Sequence, residues 1–246
     1  MDYRRGRMVG SIDESAVSAI NYYNAVLTDT PLAFWKCSES SGTAMLDSSG
    51  NGRHGTYSSP ILGQPSITPS LEETSVYFNG SSGVASVSSP TWCNNPSITV
   101  EMIINIDVLP TTYNKGLINR YGYSTSSDNQ FAMNVGTDYT VHLAARTTSN
   151  TFFTAYSSTV LSAGTSYHIA GVFNANDTVK IYINGVEEGS TPATGSLASS
   201  SRIVEIGRYA QSFTYSTASW YQNIAIYGTA LSSQRILDHA TAAGLA

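Results

Sequence analysis

Val179-Lys180-Ile181-Tyr182-Ile183-Asn184-Gly185-Val186-Glu187-Glu188 alternates apolar and polar side chains up to an Asn-Gly step, then continues beyond it. A period of two puts Val179, Ile181 and Ile183 on one face of a strand. Asn-Gly tolerates positive φ at both central positions of a tight turn, so the stretch predicts an antiparallel hairpin. The same period governs Ile98, Val100, Met102, Ile104 and Ile106, which alternate with Thr99, Glu101, Ile103 and Asn105. Other short strands are predicted at 76–78, 83–87, 116–119, 131–135, 141–145, 152–156, 167–173, 203–206 and 218–227, with turn residues between them. No helical period interleaves with them. The expectation is an all-β, antiparallel two-sheet sandwich.

Both ends read as helix. Ser11-Ile12-Asp13-Glu14 fits a capping box, and Ile12, Ala16, Val17, Ile20, Tyr23 and Leu27 recur at helical spacing before Asp29-Thr30-Pro31. Ser232 or Ser233 caps a short final helix carrying Ile236, Leu237 and Ala240, with Gly244 as its stop. The division is an arm and helix at 1–27 and a sandwich domain at 28–246. Arg4, Arg5 and Arg7 with the apolar stripe Ile12, Val17 and Ile20 form a docking segment that needs a partner surface.

Only 12% of the 246 residues are charged, where soluble domains average about 25%. Ser, Thr, Asn and Gly carry the solubility instead, as on a surface exposed outside a cell. The formal net charge is −5, and no basic stripe runs along the sandwich, which argues against nucleic acid as a partner. No apolar run reaches the roughly 20 residues of a membrane span, and no apolar region follows the arginines as in a signal peptide. Release by cell lysis, as for a virus particle, accounts for such a surface without a secretion signal, as would a non-Sec export route or a processed chain. Cys37 and Cys93 are too few for a cysteine metal site and read as two buried thiols.

Asp47-Ser48-Ser49-Gly50-Asn51-Gly52 is a tight polar loop with two glycines. A carboxylate and an amide beside turning carbonyls are hard-cation chemistry; the alternative is that Asp47 caps its own turn. Catalytic motifs are missing. There is no G-x-S-x-G, H-E-x-x-H or Gly-Lys step, and Glu101 and Asp107 are six residues apart, too far for a carboxylate pair on a straight strand. His168 reads as a structural histidine, while His142 and His239 show no partner. Sugars need aromatic platforms beside polar groups. Tyr121 and Tyr123 with Asp128 and Asn129, and Tyr209 with Phe213, Tyr215 and Trp220, are the candidates.

Six motifs in order resemble the laminin G-like branch of the concanavalin A-like lectin/glucanase jelly rolls. They are Tyr22–Leu27 through Phe34-Trp35-Lys36, the Asp47 loop with Gly55-Thr56-Tyr57, and Val76-Tyr77-Phe78-Asn79-Gly80. Ile98–Glu101, His168–Phe173 with Lys180–Gly185, and Ile224–Tyr227 with Ala230-Leu231-Ser232 complete them. The resemblance implies a jelly-roll sandwich and a calcium site with Asp47, Asn51 and Gln222 as ligands. Gln222 stands where the family commonly has an acid, which removes charge from that site. Ser166 and Ile103 stand where a tryptophan is usual. Domains resembling this one occur in phage virion proteins. The expected role is therefore a non-enzymatic virion surface protein, assembled in the host cytoplasm as a capsid decoration or tail component. It would need no cofactor, form homo-oligomers on the particle, and bind host glycans. The alternatives are a free, calcium-assisted carbohydrate-binding protein and a diverged glycosidase.

Overall fold

The computed structural model describes residues 22–68, 70–88, 91–122 and 128–246. In chain order the strands are β1 (Ala33–Trp35), β2 (Ala44–Met45), β3 (Gly55–Ser58), β4 (Ile61–Gln64), β5 (Ser75–Asn79), β6 (Val84–Val87), β7 (Ile98–Val108) and β8 (Lys115–Asn119). They continue as β9 (Phe131–Val135), β10 (Val141–Arg146), β11 (Phe152–Tyr156), β12 (Ser166–Asn174), β13 (Thr178–Ile183), β14 (Val186–Pro192), β15 (Val204–Ile206) and β16 (Ala218–Tyr227). Helix α1 spans residues 22–28, and α2 spans Ser233–Ala242.

Two antiparallel sheets form the sandwich. The first runs β14-β13-β12-β7-β16-β5-β4, with β1 also on β16; the second runs β11-β10-β9-β8-β15-β6-β3-β2. On one edge of β16, β5 pairs with Ala218–Tyr221 and β1 with Ile224–Ile226. The register shift after Gln222 and the positive φ of Asn223 (54°) mark the change of partner. The β13–β14 hairpin closes through Asn184 and Gly185, both at positive φ (50° and 80°), as the sequence predicts.

Alternation sets the core. Ile98, Val100, Met102, Ile104 and Ile106 of β7 turn inward and meet Phe131, Met133, Val135, Leu143, Val204 and Ile206 of the second sheet. Cys37 and Cys93 are buried and unbridged. The outward side of the first sheet carries a second, smaller core. Tyr22 and Val26 of α1 pack with Phe34, Leu71, Ile103, Ala225, Tyr227 and Ala243, while Ile236 of α2 packs on Ala170, Val172 and Tyr182. The expected stripe through Tyr23 and Leu27 is turned by one position. Leu27 is exposed, and Tyr22 and Val26, four apart, take the buried face. Ser232 caps α2, its hydroxyl accepting from Arg235 N–H. Arg4, Arg5, Arg7, Ile12, Val17 and Ile20 lie outside the described residues.

Candidate functional site

The polar groups of the Asp47 loop are satisfied by one another and by β1 and the residues just before it. Asp47 Oδ1 accepts from Phe34 N–H (3.0 Å) and Ser49 N–H (2.9 Å), and Oδ2 accepts from Ser49 Oγ (2.9 Å) and Arg53 N–H (2.8 Å). Partial burial alone would raise its carboxyl, but these backbone donors outweigh it and hold it below the usual range. Asn51 turns its amide nitrogen, a donor, onto the carbonyls of Pro31 and Leu32, both at 3.1 Å. Gln222 faces elsewhere, accepting from Ile67 N–H (3.4 Å) and donating to Glu73 O (2.8 Å). The donor set does not fit calcium: the carboxylate is already saturated by N–H and O–H groups, and the amide offers nitrogen rather than oxygen. Among the described residues no group of three His, Cys, Asp or Glu could hold a metal ion.

A titratable cluster that the sequence did not reveal lies under the helices. Glu101, an outward position of β7, is fully buried. It accepts from Tyr227 Oη (2.6 Å) and contacts His239 Nδ1 (3.0 Å) and His168 Nε2 (3.2 Å). His239 Nε2 lies 3.0 Å from Asp29 Oδ2, an ionic approach rather than an aligned hydrogen bond. Arg235 of α2 grips Asp29 through Nε at 2.9 and 3.1 Å. Burial would raise the Glu101 carboxyl, yet His239 and His168 hold it well below the ordinary range. Burial likewise opposes the charged His239, and Glu101 and Asp29 outweigh it and raise it above 6.5. The residue hinted at in sequence was a carboxylate between apolar neighbours of a central strand, which demands partners. Its partners stand 67 and 138 residues away. Enclosed in this way, Glu101 does not present the solvent-facing acid a glycosidase needs.

The outer face of the second sheet is different. Phe152, Tyr121, Tyr209, Tyr215 and Tyr113 follow one another with ring-centroid separations of 6.0, 5.1, 6.0 and 5.5 Å. Tyr156 stands two outward positions from Phe152 on β11, with His142 at 5.3 Å, and Arg208 lies over Phe213 at 4.5 Å. The four exposed aromatic side chains among the described residues, Tyr113, Phe152, Tyr156 and Phe213, are all here.

Specific local features build this row. The 207–217 segment folds over β8, where Thr217 Oγ1 donates to Gly116 O (2.5 Å). A side chain at Gly116 would strike the Arg208–Tyr209 backbone, so glycine permits the close approach. Asn119 donates to Arg208 O and accepts from Tyr121 N–H (3.2 Å), tying the two tyrosine-bearing segments together. Glu205 pairs with Arg208 and accepts from Gln211 N–H (3.2 Å). Burial, then neighbouring Tyr121, pushes the Tyr209 phenol well up, which keeps it neutral.

The sequence candidates therefore regroup. Tyr121 and Tyr215, expected in two clusters, join one row through Tyr209. Trp220 leaves them: it lies on the other sheet, 4.6 Å from Tyr77. The odd–even pattern of β16 could have shown this, since Tyr221 packs on core residue Phe78 at 5.3 Å and Trp220 must face outward. Asp128 and Asn129 brace the loop. Asp128 accepts from Ser201 N–H and Oγ, both at 2.7 Å, and buried Asn129 accepts from Gly122 N–H at 2.8 Å. Tyr123 lies outside the described residues.

A two-sheet antiparallel sandwich with a covered face and an aromatic open face defines a lectin-like β-sandwich protein. The chain belongs to the concanavalin A-like lectin/glucanases superfamily: the model of a laminin G family within it matches residues 78–237. A comparison with curated proteins found no match. Similar solved structures include the ligand-binding domain of botulinum neurotoxin serotype D in complex with N-acetylneuraminic acid (14% identity, TM-score 0.64, covering 89% of this chain and 52% of that one). The binding domain of Paraclostridial Mosquitocidal Protein 1 (12%, TM-score 0.66, 86% and 52%) and the receptor-binding domain of botulinum neurotoxin type G (12%, TM-score 0.62, 86% and 51%) are also similar. The chain spans about half the length of these structures, and at such identity the likeness is one of fold.

Proposed function

We infer that this chain is a non-enzymatic glycan-binding module displayed on a virus particle, as a phage capsid decoration or tail-associated protein. The row Phe152–Tyr121–Tyr209–Tyr215–Tyr113, with its exposed ends, carries the glycan reading. Pyranose faces are apolar and their edges hydroxylated, so tilted rings in series offer a platform for successive sugars. A contiguous cluster of exposed rings of this kind, set against aliphatic side chains exposed elsewhere on the surface, calls for a partner. One neighbour in fold was solved with a sialic acid; transferring glycan recognition to this chain is part of the proposal. The particle setting is supported by Arg4, Arg5 and Arg7 ahead of an apolar periodic segment and by a charge-poor surface. Repeated copies on a particle would turn weak single-site binding into avidity.

A glycan array with and without EDTA, together with particle fractionation, tests both halves. Retention of one glycan class unaffected by EDTA, with the protein in the particle fraction, is expected. A chain absent from particles removes the virion setting, and no retained glycan removes the lectin role.

A further inference from the structure

We propose that a cleft beside Trp220, on the opposite sheet from the aromatic row, is a separate site for one neutral pyranose residue. The site stands on its own geometry and does not depend on the row. Trp220, Asn105, Gly164 and the 64–67 segment line a cavity of about 540 Å³. This volume lies within the roughly 300–1,000 Å³ of small-ligand pockets. The cleft starts just beyond Ile103, the last outward β7 residue under the helical cover.

Its wall is fixed in advance from several directions. Pro65 O accepts from Ser75 Oγ (2.7 Å), Ile67 N–H donates to Gln222 Oε1 (3.4 Å), and Thr68 Oγ1 donates to Ala243 O (2.9 Å). Ile67 O accepts from Ser166 Oγ. Gln222, expected as a metal ligand, is thus a brace for this wall. The floor is aromatic, with half-buried Trp220 leaning on Tyr77, which is itself held by Tyr77 Oη donating to Asp107 at 2.7 Å.

One polar group gives the cleft its chemistry. Ser166 Oγ has a single hydrogen and gives it to Ile67 O, so towards Asn105 at 3.1 Å it can only accept. The Asn105 amide nitrogen must therefore face Ser166. Its oxygen is left enclosed and without a donor, beside its register partner Trp220. A buried acceptor without a donor costs folding free energy that an incoming hydroxyl can recover once the indole tilts aside. Among the described residues that line the cleft there is no Lys, Arg, His, Asp or Glu, so the lining they form suits an uncharged ligand. An aromatic floor, an acceptor that lacks a donor, and amide and hydroxyl walls match an uncharged sugar ring.

The probes are the methyl glycosides of glucose, galactose and N-acetylglucosamine, titrated while following the Trp220 indole N–H by NMR. At least one should shift that resonance saturably. Asn105→Leu should weaken this binding about tenfold, the value of one hydrogen bond. It should also change the urea midpoint little, because the loss of the hydrogen bond to Ser166 is offset by removal of an unsatisfied buried acceptor. Tyr209→Ala, in the aromatic row, should leave the titration unaltered, which separates this site from the other. The proposal is overturned if no glycoside moves the indole, if Asn105→Leu binds as wild type, or if Tyr209→Ala alone abolishes the shift. A clear stability loss in Asn105→Leu would make Asn105 structural and overturn it as well.

Discussion

The two sheets bury similar apolar faces inward and treat their outward faces in opposite ways. On the first sheet, α1, α2, Ile67 and Leu71 cover outward Glu101, Ile103, Ala225 and Tyr227. A buried carboxylate is tolerated there because two histidines and a phenol surround it. On the second sheet no described segment covers β10 and β11 in this way, and among the described residues Phe152 and Tyr156 stay 44% and 56% exposed. A closed face uses ionisable groups to pin its cover. An open face carries rings and leaves them available to a ligand. Stability should therefore be sensitive on the first face and binding on the second.

The largest effect is expected from Glu101→Ala. Removing one partner of a buried ion cluster leaves the others uncompensated and should cost about 3–5 kcal/mol in urea unfolding. A loss near zero would mean the cover is not pinned electrostatically.

A smaller effect is pH dependence. His239 is raised above 6.5, so its contribution is complete below that pH and fades as pH climbs through the raised value. Glu101 is lowered below 4.5, so its contribution holds above that pH and fades as pH falls through the depressed value. Stability should peak between about 4.5 and 6.5, and His239→Gln should flatten the alkaline limb. An unchanged alkaline limb in that variant would break the link between His239 and the cover.

Smaller again is Phe152→Ala on the open face, which should move the unfolding free energy by no more than about 0.5 kcal/mol, as for a surface side chain without buried partners. A loss of 2 kcal/mol or more, the range of about 2–5 for a buried side chain, would show the row to be core rather than surface. The smallest effect is that of EDTA, which should leave the melting temperature unchanged, since Asp47 is already saturated by N–H and O–H donors of Phe34, Ser49 and Arg53.

Strands with long alternation were legible in sequence. Phe131–Val135, Phe152–Tyr156 and Ala218–Tyr227 fall where the period placed them. The short β2, β3 and β4 carry too few residues to show a period, and their pairing comes from tertiary context. The candidate site was half legible. Residue types pointed to Tyr121 and Tyr215, yet their union depends on Tyr209, on Asn119 bridging two segments, and on the missing side chain at Gly116. Such contacts leave no local pattern. The same holds for Glu101 and His239, and for Gln222, whose chemistry suited a ligand but whose position made it a brace.

The most direct test of the open-face account is glycan retention by the double variant Phe152→Ala/Tyr209→Ala, measured beside its urea midpoint. Retention on the glycan bound by wild type is expected to fall at least about fivefold, two stacking contacts of about 0.5–1.5 kcal/mol each, with the fold intact. Undiminished retention by a folded double variant would contradict it.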